Sequence, residues 1–96
     1  MNQVQKEQPQ SVDVEASLLG SILIDPDAIV KVADMIRSID FYDSRHRLIY
    51  EACTRLYEQG SPIDIITLSE ELKTEGALKE VGGASYLTEL TNTVPT

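Results

Sequence analysis

The sequence offers few residues that could carry out chemistry. It contains one histidine, His46, and one cysteine, Cys53, among its 96 residues. No serine, cysteine or second histidine is spaced to form a triad or a zinc site with His46. We therefore expect His46 to be a core or capping side chain that binds the backbone or Glu15, and Cys53 to be a small core residue. The alternatives are a general base or pH-sensitive contact at His46 and a reactive thiol at Cys53.

Glu15 is the carboxylate whose position is most unusual. It projects from the apolar face of a predicted helix, where an unpaired carboxylate is costly. We expect it to pair with Arg45 or His46, so these three residues form a candidate buried polar cluster. A catalytic role for Glu15 is the alternative, although no second catalytic group accompanies it.

The glycines exclude one common nucleotide-binding motif. None of them is followed by the lysine and hydroxyl residue that end a GxxxxGK[ST] phosphate loop. We therefore expect these 96 residues to bind no cofactor and to contain no catalytic site.

The charge balance bears on the partners. Sixteen acidic and eight basic residues give a formal net charge of -8 at pH 7, which repels phosphate backbones. We expect no direct binding of nucleic acid, and a basic or neutral protein partner instead. A solvated face is the simpler interpretation of the exposed charges, and a docking face is the alternative. The candidate docking residues are Glu51, Arg55, Glu58, Glu70 and Glu71.

The elements that position these residues are all predicted to be helical. In residues 44–59 the apolar side chains, Tyr50 and Tyr57 among them, cover roughly half of the helical wheel, more than the stripe of about 100° that a one-sided helix needs. This predicts a central helix, capped by Asp43 or Ser44 and closed by Gly60, that packs on more than one side. Its outer face pairs Glu51 with Arg55 at i, i+4.

Shorter helices are predicted on either side of the central one. We expect residues 1–10 to be a disordered tail and residues 11–96 to form a helical head. The fold class is all-α, a compact bundle of about five to six short helices. The predicted segments are residues 11–24 with Ser11 as the cap, a helix from Asp25-Pro26 to near Arg37, a helix from the cap Asp64 to Gly76, one or two turns within residues 77–81, and a final helix from about Ala84.

Apolar periodicity also predicts the core. Phe41 and Tyr42 are expected to anchor the entry of the central helix, and Ser17, Gly20 and Ser21 form a strip that lets another backbone approach closely. The predicted core and cap residues are Leu18, Ile22, Phe41, Tyr42, His46, Ile49, Cys53, Leu56, Asp64, Leu68, Leu72, Tyr86 and Leu87.

Four stretches carry a resemblance to a known family. They are VEASLLGSILID (residues 14–25), FYDSRHRLIYEA (41–52), GSPIDIITLSEEL (60–72) and GALKEVGGASYLTEL (76–90). In this order and spacing they resemble the N-terminal domain of bacterial replicative DNA helicases of the DnaB type. The resemblance covers about residues 9–96.

The resemblance implies an all-helical head on the collar of a hexameric helicase. The sequence has no run of about 20 apolar residues and no apolar signal-peptide core at its N-terminus, so we expect a cytoplasmic protein. Its implied partners are the other helicase subunits, primase and a helicase loader. A helical hairpin and a C-terminal motor that uses ATP and Mg to unwind DNA would lie outside these residues. We accordingly expect the sequence to be a piece of a longer chain, with no membrane segment, and the isolated head to be a monomer or weak dimer.

Two other classes of protein share some of these sequence features. An acidic helical carrier protein would place its attachment serine at a helix start, as Ser44 is placed, but Arg45, His46 and Arg47 follow where a carrier has a hydrophobic residue on an acidic helix. A helix-turn-helix DNA binder needs a basic recognition helix. Only the start of the central helix is locally basic. A small acidic carrier or adaptor remains the alternative function.

Overall fold

The computed structural model describes residues 8–94, and all regular structure in that range is helical. The fold class predicted from the sequence is therefore confirmed. None of the helices in this range is long and apolar enough to cross a membrane. The helices are α1 (Gln8–Ile24), α2 (Ala28–Val32), α3 (Ser44–Glu58), α4 (Ile65–Thr74), α5 (Leu78–Val81) and α6 (Gly83–Thr91), with a 3₁₀ turn at Ser38–Asp40 between α2 and α3.

Helix α3 lies at the centre of the fold. It contacts α1, α2, α4 and α5, so it is covered on several sides, as the wide apolar arc of its sequence predicts. Tyr57, near its end, was placed on the apolar arc but is 43% exposed. The buried residues of α3 are His46, Ile49, Tyr50, Ala52, Cys53 and Leu56.

Local capping interactions set the ends of the two longest helices after α1. The Asp43 carboxylate accepts a backbone N–H at the start of α3, and Asp64 does the same for α4. At α4 the cap is reciprocal, because the Thr67 hydroxyl also accepts the Asp64 N–H at 2.9 Å. Gly60 and Gly76 follow the two helices with φ of +73° and +74°, a conformation that glycine adopts without strain.

The first two helices differ from their predicted bounds. Helix α1 begins at Gln8, so residues 8–10 of the predicted tail are helical, and the rest of that tail, residues 1–7, lies outside the described residues. Helix α2 has only five residues, 28–32. The Asp25 carboxylate accepts the N–H of Asp27 at 3.2 Å, so residues 25–27 form a turn and the helix begins only after it.

The prediction that Tyr42 belongs to the core is wrong. Phe41 is 2% exposed, whereas Tyr42 is 57% exposed. Phe41 leaves the 3₁₀ turn in an extended conformation, with φ of -81° and ψ of 134°, and successive side chains of extended backbone point to opposite sides. Because Phe41 faces the core, Tyr42 faces outward. Leu18 and Tyr86 are half-buried against the core, and the remaining predicted apolar residues are buried: Ile22, Ile49, Cys53, Leu56, Leu68, Leu72 and Leu87.

Gly20 allows α1 and α6 to approach closely. A Cβ at this position would lie 2.2 Å from the backbone oxygen of Leu90 and 2.8 Å from Cγ2 of Val94. The small-residue strip predicted from the sequence therefore faces the backbone of α6.

We expect Gly20→Ala to lower the free energy of unfolding by about 1–3 kcal/mol, since the added methyl group forces the two helices apart. Urea denaturation of the wild-type and variant chains measures the difference. In a helix without such a neighbour the same substitution stabilises by about 1 kcal/mol, so unchanged or increased stability would contradict the close contact.

Candidate functional site

Glu15 and His46 are the buried residues with polar or charged side chains, apart from Tyr50 and Cys53, among those whose side chains are described. His46 is 0% exposed, and its Nδ1 lies 2.8 Å from Oε1 of Glu15. The structure thus selects His46 from the two partners predicted for Glu15. Glu15 also accepts the backbone N–H groups of Tyr42 and Asp43, which precede α3. The carboxylate therefore joins α1 to the start of the central helix.

Tyr86 completes this cluster from α6. Its hydroxyl lies 2.6 Å from Nε2 of His46, and the two rings stack with their centroids 6.0 Å apart. An ionised carboxylate only accepts hydrogen bonds, so the Glu15 contact requires a proton on Nδ1 of His46. In the neutral ring Nε2 then accepts the hydroxyl proton of Tyr86. Burial raises the pKa of Tyr86, against the opposing effect of the Arg45 charge.

These contacts limit what the histidine can do. Both ring nitrogens are within hydrogen-bonding distance of a protein side chain, and the carboxylate has three protein donors. The arrangement suits a tie between α1, α3 and α6, because each of the three residues comes from a different helix.

Arg45, the other partner predicted for Glu15, binds elsewhere. Its Nη2 lies 2.9 Å from Oδ2 of Asp43, and its guanidinium carbon is 4.2 Å from the centroid of the Tyr86 ring. The hydrogen bond from Arg45 lowers the pKa of the Asp43 carboxyl to about 2. Asp43 in turn raises the pKa of Arg45.

We expect this pair to make the domain lose stability in acid. Because the folded pKa of Asp43 lies below its unfolded value, the pair stabilises fully above about pH 4 and progressively less as the pH falls towards 2. Arg45 is 40% exposed on its side chain, so solvent screening limits the contribution to about 1 kcal/mol or less. Asp43→Asn keeps a capping side chain but removes the charge. Urea denaturation should show the variant less stable than wild type at pH 7, with a difference that shrinks as the pH falls towards 2; a constant difference would contradict the assignment.

The residues of the candidate docking face do not act as one group. Nε of Arg55 lies 2.7 Å from Oε2 of Glu71 and 4.0 Å from Oε2 of Glu75, so it links α3 to α4. The predicted i, i+4 pair with Glu51 is replaced by this interhelical pair. Glu58 and Glu70 are exposed.

Cys53 and the acidic residues give no sign of a metal centre. Cys53 is 0% exposed, and burial raises the pKa of its thiol to about 12, which holds it in the unreactive protonated form. Among the residues that the structure describes, no group of three or more His, Cys, Asp or Glu side chains could hold a metal ion.

Two features of the structure were not found by sequence reasoning. The first is the contact of Tyr86 with His46; a tyrosine on an inward face needs a hydrogen-bond partner, and this requirement was the available signal. The second is a group of exposed apolar side chains on the short elements and on α4, for which periodicity gives no signal: Val30, Met35, Ile39 and Ile66.

The fold has a close counterpart among solved structures. It superposes with a TM-score of 0.87 on a crystal structure of the N-terminal domain of DnaB helicase from Mycobacterium tuberculosis, at 42% sequence identity over 94% of this chain and 62% of that one. The fold and the resemblance therefore agree on a helical domain of a replicative helicase. A family described as DnaB-like helicase N terminal domain matches residues 7–96. The chain belongs to this family.

Two curated relatives show how much of a longer protein such a domain represents. The replicative DNA helicase DnaB of Geobacillus stearothermophilus is 40% identical over 88 residues, which are 92% of this chain and 19% of the relative. The protein of the same name from Mycobacterium leprae is 43% identical over 91 residues, 95% of this chain and 15% of the relative. The chain thus spans less than a fifth of the length of these relatives.

Proposed function

We propose that this chain is a non-catalytic assembly and docking domain of a hexameric replicative DNA helicase. The observation that carries the proposal is the family match over residues 7–96, together with the names of the relatives. In this role the domain supports ring assembly with other helicase subunits and binds primase or a helicase loader in the cytoplasm. Unwinding of DNA with ATP and Mg belongs to the rest of the parent protein.

The side-chain contacts support a role without catalysis. The histidine and the buried carboxylate bind protein groups and each other, and the single cysteine is buried. The formal net charge of -8 favours a basic or neutral protein partner over direct contact with nucleic acid. These features suit a domain that presents a folded surface to other proteins.

The test compares the full-length parent protein with a version that lacks residues 1–96. We expect removal of the domain to weaken the binding of the cognate primase, or of the loader where one exists, by at least about tenfold, which corresponds to 1.4 kcal/mol. Isothermal titration calorimetry measures the affinity. Light scattering after size-exclusion chromatography separately measures whether the ring still assembles.

The two parts of the proposal give different results. If the shortened protein still forms hexamers but binds primase weakly, the domain docks the partner directly. If hexamers are lost as well, the domain also acts in assembly. Hexamers that form normally and bind primase and loader as tightly as the intact protein would contradict the proposed function.

A further inference from the structure

A groove opens where the end of α1 and the start of α2 meet the loop after α3. It has a volume of about 510 Å³ and is lined largely by apolar side chains. Leu23, Ile29 and Ile63 form its buried floor, while Val30 and Tyr57 stand at its side with exposed fractions of 55% and 43%. Partly exposed apolar residues grouped around a concave surface are typical of a place where another molecule binds.

A second groove adjoins the first along the same loop. It has a volume of about 290 Å³ and shares Ser61 and Pro62 with the first groove. Its apolar residues are Leu56, which is buried, and Ile66, which is 76% exposed. The two grooves meet at Ser61 and Pro62, with Val30 in the lining of the first and Ile66 in the lining of the second. We call this surface the loop groove.

The charged residues that line the loop groove all have one sign. Its lining residues include four carboxylates, on Asp27, Asp64, Glu70 and Glu71, and no lysine, arginine or histidine. Two of the four are engaged, because Asp64 caps α4 and Glu71 binds Arg55. Asp27 makes no side-chain capping hydrogen bond to α2 and is exposed, as is Glu70. A ligand that fills the groove therefore meets negative charge towards both ends.

We propose that the loop groove binds a partner protein through a segment that carries large apolar side chains flanked by lysine or arginine. The apolar side chains would cover Val30, Tyr57 and Ile66, and the cationic groups would approach Asp27 and Glu70. Charge complementarity selects this partner, because like charges brought together at an interface oppose binding. Pairing of the groove with the same groove of a second copy is disfavoured for the same reason, since both would present the same carboxylates.

This inference rests on the proposed docking role and names the chemistry of the partner. The probe for its test is a short fluorescein-labelled peptide of leucine, arginine and alanine, titrated with the full-length parent protein. Fluorescence anisotropy measures its affinity. Two further peptides separate the apolar contribution to binding from the contribution of charge. One has every leucine replaced by serine, and the other has every arginine replaced by glutamate. We expect both to bind at least about tenfold more weakly.

Matched variants locate the binding site. Val30→Ser and Asp27→Asn change exposed residues of the groove, so the core is left intact. Met35→Ser and Asp34→Asn are their controls, because both residues are exposed and neither lines the groove. We expect each groove variant to weaken binding of the leucine-arginine peptide severalfold, and each control to leave it unchanged.

Three results would overturn the inference. They are failure of the leucine-arginine peptide to bind the intact protein, equal binding of the serine-substituted peptide, and equal weakening by groove and control variants. Each of them leaves the proposed function standing if removal of residues 1–96 still weakens primase binding at least about tenfold. Conversely, normal primase binding after that removal would end the docking role, while the peptide results would still decide whether the groove binds basic segments.

Discussion

Replacement of Glu15 by alanine is expected to lower the free energy of unfolding by about 3–5 kcal/mol, because it leaves several donors without an acceptor at a cost of about 1–3 kcal/mol each. The carboxylate accepts from Nδ1 of His46 and from the backbone N–H groups of Tyr42 and Asp43. Without it, buried donors lose their acceptor, and each costs free energy in the folded state. Denaturation by urea, followed by circular dichroism, measures the loss.

Asp13→Ala is the matched control for this prediction. Asp13 lies on the same helix, two residues earlier, but is exposed, and substitutions at such positions are usually within about 0.5 kcal/mol. Equal losses for the two variants would mean that Glu15→Ala destabilises the domain only by removing a charge from α1, and that the contacts of Glu15 contribute nothing.

A double-mutant cycle isolates the contact with His46. If the 2.8 Å contact stabilises the fold, the losses for Glu15→Ala and His46→Ala should not add, and the coupling should be about 1–3 kcal/mol. Additive losses would show that each side chain stabilises the domain through its other neighbours. Glu15→Gln is expected to fall between wild type and alanine, because its amide retains one acceptor oxygen but presents donors to the other groups.

Part of this cluster was predictable from the sequence. A carboxylate at an apolar position of a helix requires a partner, and His46 was one of the two partners predicted for Glu15. The contacts with the N–H groups of Tyr42 and Asp43 were not predictable, because they depend on how the segment before α3 crosses α1. Local pattern describes one element at a time, whereas these hydrogen bonds span 27 and 28 residues.

The same limit explains the ion pair of Arg55. Sequence spacing favoured Glu51, one turn away on the same helix. In the structure Nε of Arg55 instead contacts Oε2 of Glu71 on α4 at 2.7 Å, because α4 packs along α3. Caps, in contrast, were predicted well at Asp43 and Asp64, since the interacting groups lie within three residues of each other.

The loop groove shows what periodicity leaves out. Ile65, at the start of α4, packs against the core. The next residue, Ile66, is 76% exposed. Val30 belongs to a helix of five residues, which is too short to define a face by its pattern. Which apolar residues stay uncovered depends on where the loop after α3 runs, and only the folded chain determines that path.

Replacement of Phe41 by alanine is expected to cost about 3–5 kcal/mol, the range for removing a buried aromatic ring. Phe41 is 2% exposed. Its ring centroid lies 4.9 Å from that of Tyr50 and 6.5 Å, edge to face, from that of His46. The ring therefore fills the space between the central helix and the segment that leads into it. The loss is measured as the change in the urea midpoint at constant slope.

Tyr42→Ala is a close control, because it removes the neighbouring ring, which is 57% exposed. We expect it to cost less than about 1 kcal/mol. Phe41→Leu should cost about 1.5 kcal/mol or less, since it keeps most of the apolar volume. Equal losses at positions 41 and 42 would contradict the assignment of one ring to the core and the other to the surface.

Phe41 also connects this packing to the buried polar cluster. Its ring meets the His46 ring at an interplanar angle of 77°, so it covers one side of the histidine that binds Glu15. We expect Phe41→Ala to admit water beside that pair and to reduce the coupling measured between Glu15 and His46, because water competes for the same donors and acceptors. A double-mutant cycle repeated in the Phe41→Ala background tests this. Unchanged coupling would mean that the ring supports the fold only through its apolar volume.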